Sequence, residues 1–208
     1  MQQRRATLVT VLTLVLTGVG SNGLADTNVF SQDAAGLPGG VASPSFTLDF
    51  NPSEDVTNIS FNWEYDATFL TFQKSQATVD YGGQTRSLAS FLDFLKLSFG
   101  GSPQFFSTEG GDVGSNHKIY DYTLFADTSI TLSGQMVFNL IFEIADTAKA
   151  GMETPINVTG NIVDSAGDEF PYETLAIVRA VPEPAEWLLW LSGLGLLAGR
   201  SRHRQAWL

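Results

Sequence analysis

The sequence predicts a mainly β protein, an antiparallel β-sandwich with one short helix, set between an N-terminal signal peptide and a C-terminal transmembrane helix. Three observations predict it. Residues 44 to about 180 carry about eight short apolar–polar alternating runs separated by turn residues, the pattern of a sandwich. One stretch, Ser87–Phe99, switches to a helical period. Both chain ends hold an apolar run with arginines beside it.

Met1–Ala25 reads as a secretory signal peptide. Arg4 and Arg5 form its charged start and Ala6–Leu16 its apolar core. Gly23-Leu24-Ala25 puts small residues at −3 and −1, which places cleavage between Ala25 and Asp26. An uncleaved N-terminal anchor is the alternative. The apolar run is short for a span, which favours cleavage. Residues 26–43 are rich in Gly, Ala, Ser and Asp without an apolar period, and are read as a flexible lead-in.

Residues 44–180 form the body. Phe46, Leu48 and Phe50 alternate with polar neighbours, and Asn51-Pro52-Ser53 is expected to end that strand. Ile59, Phe61, Trp63 and Tyr65 give the cleanest period of two, and Phe69–Phe72 begins another extended run. Leu88, Phe91, Leu92, Leu95 and Phe99 recur at helical spacing, with Ser87 as a cap and Gly100-Gly101 as a stop; a strand pair is the alternative. Residues 102–116 are expected to be a Gly/Ser loop. Ile119–Phe125 and Met136–Ile144 are expected strands, the second central because its other face is also partly apolar. Ile156–Val163 and Leu175–Val178 complete the set. Ser133-Gly134, Ala150-Gly151 and Asp164–Asp168 supply turns.

Composition narrows function. Residues 26–182 hold 20 acidic and 6 basic side chains, a net charge of −14. Such a surface repels phosphate backbones, which argues against nucleic acid as a partner. The absence of cysteine excludes a disulfide scaffold, Cys-ligated zinc and a Cys nucleophile. His117 and His203 are the two histidines, too few for a His-rich metal site. No catalytic residue, cofactor or metal ligand is assigned, and the chain is read as non-enzymatic. Asp164-Ser165-Ala166-Gly167-Asp168-Glu169 could be drawn as a calcium loop, but the EF-hand spacing is missing and an acidic hairpin turn is the reading adopted. Tyr120 and Tyr122 share one strand face and are offered as an exposed stacking contact for a glycan.

The C-terminal segment, residues 181–208, has three ordered parts. Val181, Pro182, Glu183 and Pro184 come first. An apolar run follows, carrying Trp187, Leu188, Leu189, Trp190, Leu191, Leu194, Leu196 and Leu197. Arg200, Arg202 and Arg204 close it. From Pro184 to Gly199 the chain would make roughly 24 Å of helix at 1.5 Å per residue, short against a hydrocarbon core of about 30 Å. The arginines place that end in the cytoplasm and the body outside. A short span suits a temporary stop.

This order and position resemble the PEP-CTERM sorting signal of exopolysaccharide-producing Gram-negative bacteria. The resemblance implies an exosortase-like processing enzyme as a partner, removal of the tail near Pro182–Pro184, and a transient inner-membrane intermediate before the cell surface or extracellular space. An ordinary C-terminal anchor is the alternative. The body resembles cohesin-like jelly-roll domains: Ile59–Phe72 is similar to their early hairpin, with Tyr65-Asp66 and Leu70-Thr71-Phe72, and Gly134–Ile144 with Gly151 and Ile156–Val163 is similar to their later half. That resemblance implies a non-catalytic binding domain. Together they lead to an exported surface or matrix protein associated with exopolysaccharide, biofilm or another surface protein. A carbohydrate-binding module acting on matrix glycans is the alternative.

Overall fold

The computed structural model describes residues 28–99, 102–114 and 116–182. The expected signal peptide, its cleavage point at Ala25 and Asp26, and the segment from Glu183 onward lie outside the described residues. Among the described residues no helix is long and apolar enough to cross a membrane.

The described chain is mainly β, with one helix. Its elements run β1 (Asn28–Gln32), β2 (Ala34–Gly36), β3 (Val41–Ala42), β4 (Ser45–Asp66), β5 (Leu70–Phe72), β6 (Thr78–Tyr81), β7 (Gln84–Ser87), α1 (Leu88–Ser98), β8 (Gln104–Asp112), β9 (His117–Asn139), β10 (Phe142–Ile144), β11 (Glu153–Asp164) and β12 (Glu169–Ala180). One sheet has the order β2-β12-β11-β4-β9-β6-β7, with β1 on β4 and β8 on β9; a second has the order β3-β10-β5.

Two long strands organise the larger sheet. β4 and β9 pair antiparallel from Ser45↔Asn139 to Asp66↔His117. The ladder breaks twice. Between Phe50 and Glu54, three residues of β4 face one of β9; between Val56 and Asn58, one residue of β4 faces four of β9. A bulge bends its strand and changes which residues point inward. The inward set of β4 accordingly changes from Phe46, Leu48, Phe50 and Val56 to Ile59, Phe61, Trp63 and Tyr65. The sheet folds over at these bulges. Its two halves then face each other, and Phe46 meets Trp63 at 6.3 Å while Phe61 meets Phe138 at 4.9 Å. This curled sheet is the sandwich.

Several expectations need correction. Asn51-Pro52-Ser53 does not end a strand: Pro52, which has no N–H to donate, falls in the unpaired part of the first bulge and β4 continues through it. Ser133-Gly134 is no hairpin turn. Gly134 has φ +72° and pairs with Phe50 inside β9, where a backbone bend without a Cβ is needed. The expected strand Met136–Ile144 is divided at Asn139, and Phe142–Ile144 crosses to the smaller sheet. Residues 104–112 are a strand, not a loop, held to β9 from Gln104↔Phe125 to Asp112↔Lys118. The described part of the expected flexible lead-in is likewise built into sheets: β1 pairs with β4, β2 runs parallel to β12, and β3 pairs with β10.

The helix is where its apolar period placed it. Ser87 accepts from the Ser90 N–H at 3.2 Å, and Leu88, Phe91, Leu92 and Leu95 are buried. Phe91 stands edge-on to Phe138 at 5.7 Å, so α1 closes one side of the core. The small sheet closes an end, with Phe72 against Trp63 at 5.3 Å and Phe142 against Tyr65 at 5.0 Å.

The two ends of the described chain lie at opposite ends of the sandwich. β1 and β2 travel beside β12 in the same direction: Ser31 bonds the Leu175 carbonyl, the Asp33 carboxylate accepts from the Ile177 N–H, and Gly36 pairs with Ala180. The chain therefore enters near the β11–β12 hairpin turn and leaves at the base, where the Val181 N–H bonds the Gly36 carbonyl at 2.9 Å.

Candidate binding face

The side chains that alternate with the core stripe define a hydrogen-bonded polar surface on the outer side of the sheet. Because Ile59, Phe61, Trp63 and Tyr65 point inward, Asn58, Ser60, Asn62 and Glu64 point outward. By the same alternation β11 presents Asn157, Thr159 and Asn161, and β9 presents Asp121 and Thr123. Register lines them up in rows. Thr108, Asp121, Asn62, Thr159 and Glu173 are successive cross-strand partners.

This face is ordered by its own hydrogen bonds. The Thr159 hydroxyl donates to Asn62 Oδ1 at 2.6 Å. Ser60 Oγ accepts from the Asn161 N–H at 2.9 Å. His117 Nδ1 lies 2.7 Å from Glu64 Oε1 at the lower margin, so this histidine is paired with a carboxylate. Among the described residues, Asn58 Oδ1 and Asn161 Oδ1 are enclosed acceptors with no donor. The hydrogen bonds fix the short polar side chains in place, so the face would lose little conformational freedom in a contact.

The tyrosines offered as a glycan contact lie on the other side of the same strands. Tyr122 is 1% exposed, which corrects its expected exposure. It packs against Trp63 at 5.5 Å, and Glu109 lies 3.3 Å from its hydroxyl. Burial first, then the Glu109 charge, holds the Tyr122 hydroxyl well above the ordinary tyrosine range. Tyr120 is half-buried and stacks on Trp63 at 5.9 Å. It borders a shallow depression of about 340 Å³ with Tyr65, Leu70, Gly110 and Lys118. Tyr65 beside it is pushed up to about 12, by burial and then by Tyr120. The face containing Tyr120 and Tyr122 turned inward, where Trp63 and Phe72 pack against it, and Asp121 and Thr123 face outward.

The acidic loop is a hairpin turn. Asp164 is buried, and its Oδ1 accepts from the Ala166 N–H at 2.8 Å and the Asp168 N–H at 2.9 Å. That carboxylate closes the turn. Among the described residues no cluster of three or more His, Cys, Asp or Glu side chains could hold a metal ion. Two further carboxylates near the core stripes also have structural partners. Asp66 accepts from the Thr68 N–H at 2.8 Å, and Asp80 from Asn139 Nδ2 at 2.8 Å.

No family model matches the chain, and no curated protein sequence matches it. Among solved structures, the chain is similar to the collagen-binding subdomain of the Enterococcus faecalis surface protein ACE, at 12% identity over 73% of this chain and 95% of that one, with a TM-score of 0.46. It is similar to the sixth cohesin of scaffoldin B from Acetivibrio cellulolyticus, solved with a dockerin, at 19% identity over 74% and 97%, with a TM-score of 0.42. It is also similar to the collagen-binding domain of a Staphylococcus aureus adhesin, at 13% identity over 74% and 99%, with a TM-score of 0.46.

Proposed function

We propose that this chain is an exported, non-enzymatic binding protein of the bacterial surface or extracellular matrix, built on a cohesin-like sandwich. Its partner is another surface protein or the exopolysaccharide of a biofilm. The observation that supports the reading is the hydrogen-bonded polar face centred on Asn62 and Thr159. An exosortase-like enzyme would process it at Val181–Pro184 during a transient stay in the inner membrane.

The place where the sandwich ends supports that processing step. Val181 makes the last backbone hydrogen bond of the described chain, to Gly36, and Pro182 follows it with no N–H to donate. On this reading the sorting motif starts at the last sheet-paired residue of the described chain, Val181.

Two measurements test the proposal. Mass spectrometry of the mature protein should find a chain lacking Trp187–Leu208; a membrane-held product that retains them overturns the processing step. Pull-down from matrix material with the mature protein should recover a partner that is lost with Asn62→Arg or Thr159→Arg. Recovery unaffected by both variants overturns the assignment of this face.

A further inference from the structure

Three exposed apolar side chains gather at the base, where the chain leaves the sandwich. Leu37 is 38% exposed, Val41 58% and Met152 45%. Leu37 follows Gly36, whose carbonyl receives the Val181 N–H. The Val41 carbonyl faces Gly36, and the Met152 carbonyl accepts from the Ala180 N–H at 2.9 Å. All three therefore ring the exit at Val181.

The length of chain beyond the exit limits what can cover them. Residues 182–186 extend at most about 18 Å at 3.6 Å per residue before the apolar run begins at Trp187. If that run is in a bilayer, the base cannot leave the neighbourhood of the headgroups.

Charge sets the same orientation. The opposite end carries Glu54, Asp55, Asp164, Asp168 and Glu169, tied together by the bond from the Ser165 N–H to the Asp55 carbonyl at 2.8 Å. An anionic lipid surface repels that end. The base is less acidic: Lys149 and Arg179, the latter paired with Glu153 at 2.8 Å, offset all but one of Glu153, Glu143 opposite Val41 and Asp146 beside Gly39. Three exposed apolar side chains with a nearly balanced charge around them can settle into a headgroup layer more readily than the acidic end.

We infer that Leu37, Val41 and Met152 form a membrane-contact ring, seating the base of the sandwich on the lipid surface while the C-terminal segment is still attached. The inference rests on residues 187–199 spanning the bilayer. The occupant is lipid: phosphatidylethanolamine with a minority of phosphatidylglycerol. The ring holds the sorting motif at the depth where a membrane enzyme works. Once the tail is removed, contact through three side chains alone is weak and the body leaves.

The absence of cysteine allows single labels. The full chain is reconstituted in vesicles of that composition, with an environment-sensitive fluorophore on Val41→Cys, Met152→Cys or, as the distant control, Ser165→Cys. Along β11 the control lies about 35 Å from the base at 3.4 Å per residue. Spin-labelled lipid should quench the first two several-fold more than the third. A Leu37→Ser/Val41→Ser variant labelled at Met152→Cys should lose most of that difference while still floating with vesicles. Equal quenching at all three positions in protein that resists alkaline extraction overturns the ring and leaves the span standing. Protein that is extracted at alkaline pH overturns both. Unquenched base labels that crosslink to a processing enzyme also overturn the lipid assignment.

Discussion

Tyr172 lies across Gly160 and donates its hydroxyl to the Ser60 carbonyl at 2.8 Å, so one side chain ties β12 to β4 over the strand between them. A Cβ on residue 160 would overlap both the Ser60 carbonyl and the Tyr172 hydroxyl. The glycine is required by the close approach of a neighbouring strand, a use of glycine that keeps a ring over a bare backbone.

Gly160→Ala should therefore destabilise by about 1–3 kcal/mol, the usual cost of overfilling a packed site. Tyr172→Phe should cost about 0.5–1.5 kcal/mol for the lost hydrogen bond. Adding Tyr172→Ala to Gly160→Ala should not rescue it, because the Ser60 backbone remains in the way. Urea midpoints of the single and double variants check this; full rescue would show that only the ring stood in conflict.

Alkaline pH offers a second prediction. Burial raises the hydroxyls of Tyr65, Tyr122 and Tyr172 above the ordinary value of 10.0. A group whose folded value is raised stabilises fully below its unfolded value and less as pH climbs toward the folded one. Stability should hold to about pH 10 and fall beyond it, through pH 12 where Tyr65 titrates. Tyr172→Phe should soften that fall. Thermal melting between neutral pH and pH 12 measures it, and an identical slope in the variant would contradict the assignment.

The hairpin turn gives a third. Asp164→Ala removes the acceptor for two backbone N–H groups, at an expected cost of about 1–3 kcal/mol. Asp164→Asn keeps an oxygen there and should lose less. Calcium or a chelator should leave the melting temperature of the parent unchanged. A calcium-dependent rise that Asp164→Asn abolishes would restore the metal loop.

Near that turn, Glu54 is raised above the usual glutamate value of 4.5 by burial, then by Asp164 and Asp55. For a carboxyl, a raised folded value means that its charged form is the less comfortable one, so stability is lost as pH rises through it. Glu54→Gln should raise the melting temperature at neutral pH and have no such effect below pH 4. Differential scanning calorimetry at the two pH values decides it.

The helix supplies the last. Phe91→Ala should cost about 3–5 kcal/mol, since its ring is enclosed against Phe138 and Tyr81. Leu97, six residues on, is 85% exposed, and Leu97→Ser should be close to neutral. Comparable losses at both positions would contradict the burial of one face.

Much of the interior was readable from the sequence. The alternation Ile59–Tyr65 and the spacing Leu88, Phe91, Leu92, Leu95 each fit one period, and each became a buried stripe. Met136, Phe138, Leu140, Phe142 and Ile144 also share the core, although the strand that carries them is split between two sheets. A period survives such a split because burial depends on side chains.

Other parts were not readable. In β8, QFFSTEGGD, the two Phe are adjacent and the rest is polar or Gly, so no alternation marks it; backbone hydrogen bonds to β9 make it a strand. The same holds for β1 and β2 at the other edge. Around Tyr120 and Tyr122 both strand faces carry apolar groups, and the choice between them fell to whichever face Trp63 and Phe72 could fill. The polar face followed as the remainder.

By itself the sequence determined the core stripes, the helix and the charge of the body, because each is a repeat or a sum over nearby residues. Only the tertiary structure decided that Pro52 and Gly134 sit in continuous strands, that Tyr122 is interior, that Tyr172 covers Gly160, and that Leu37, Val41 and Met152 meet at the exit. Those relations join positions far apart in the chain, and they arise from register and from a sheet folded over its own bulges.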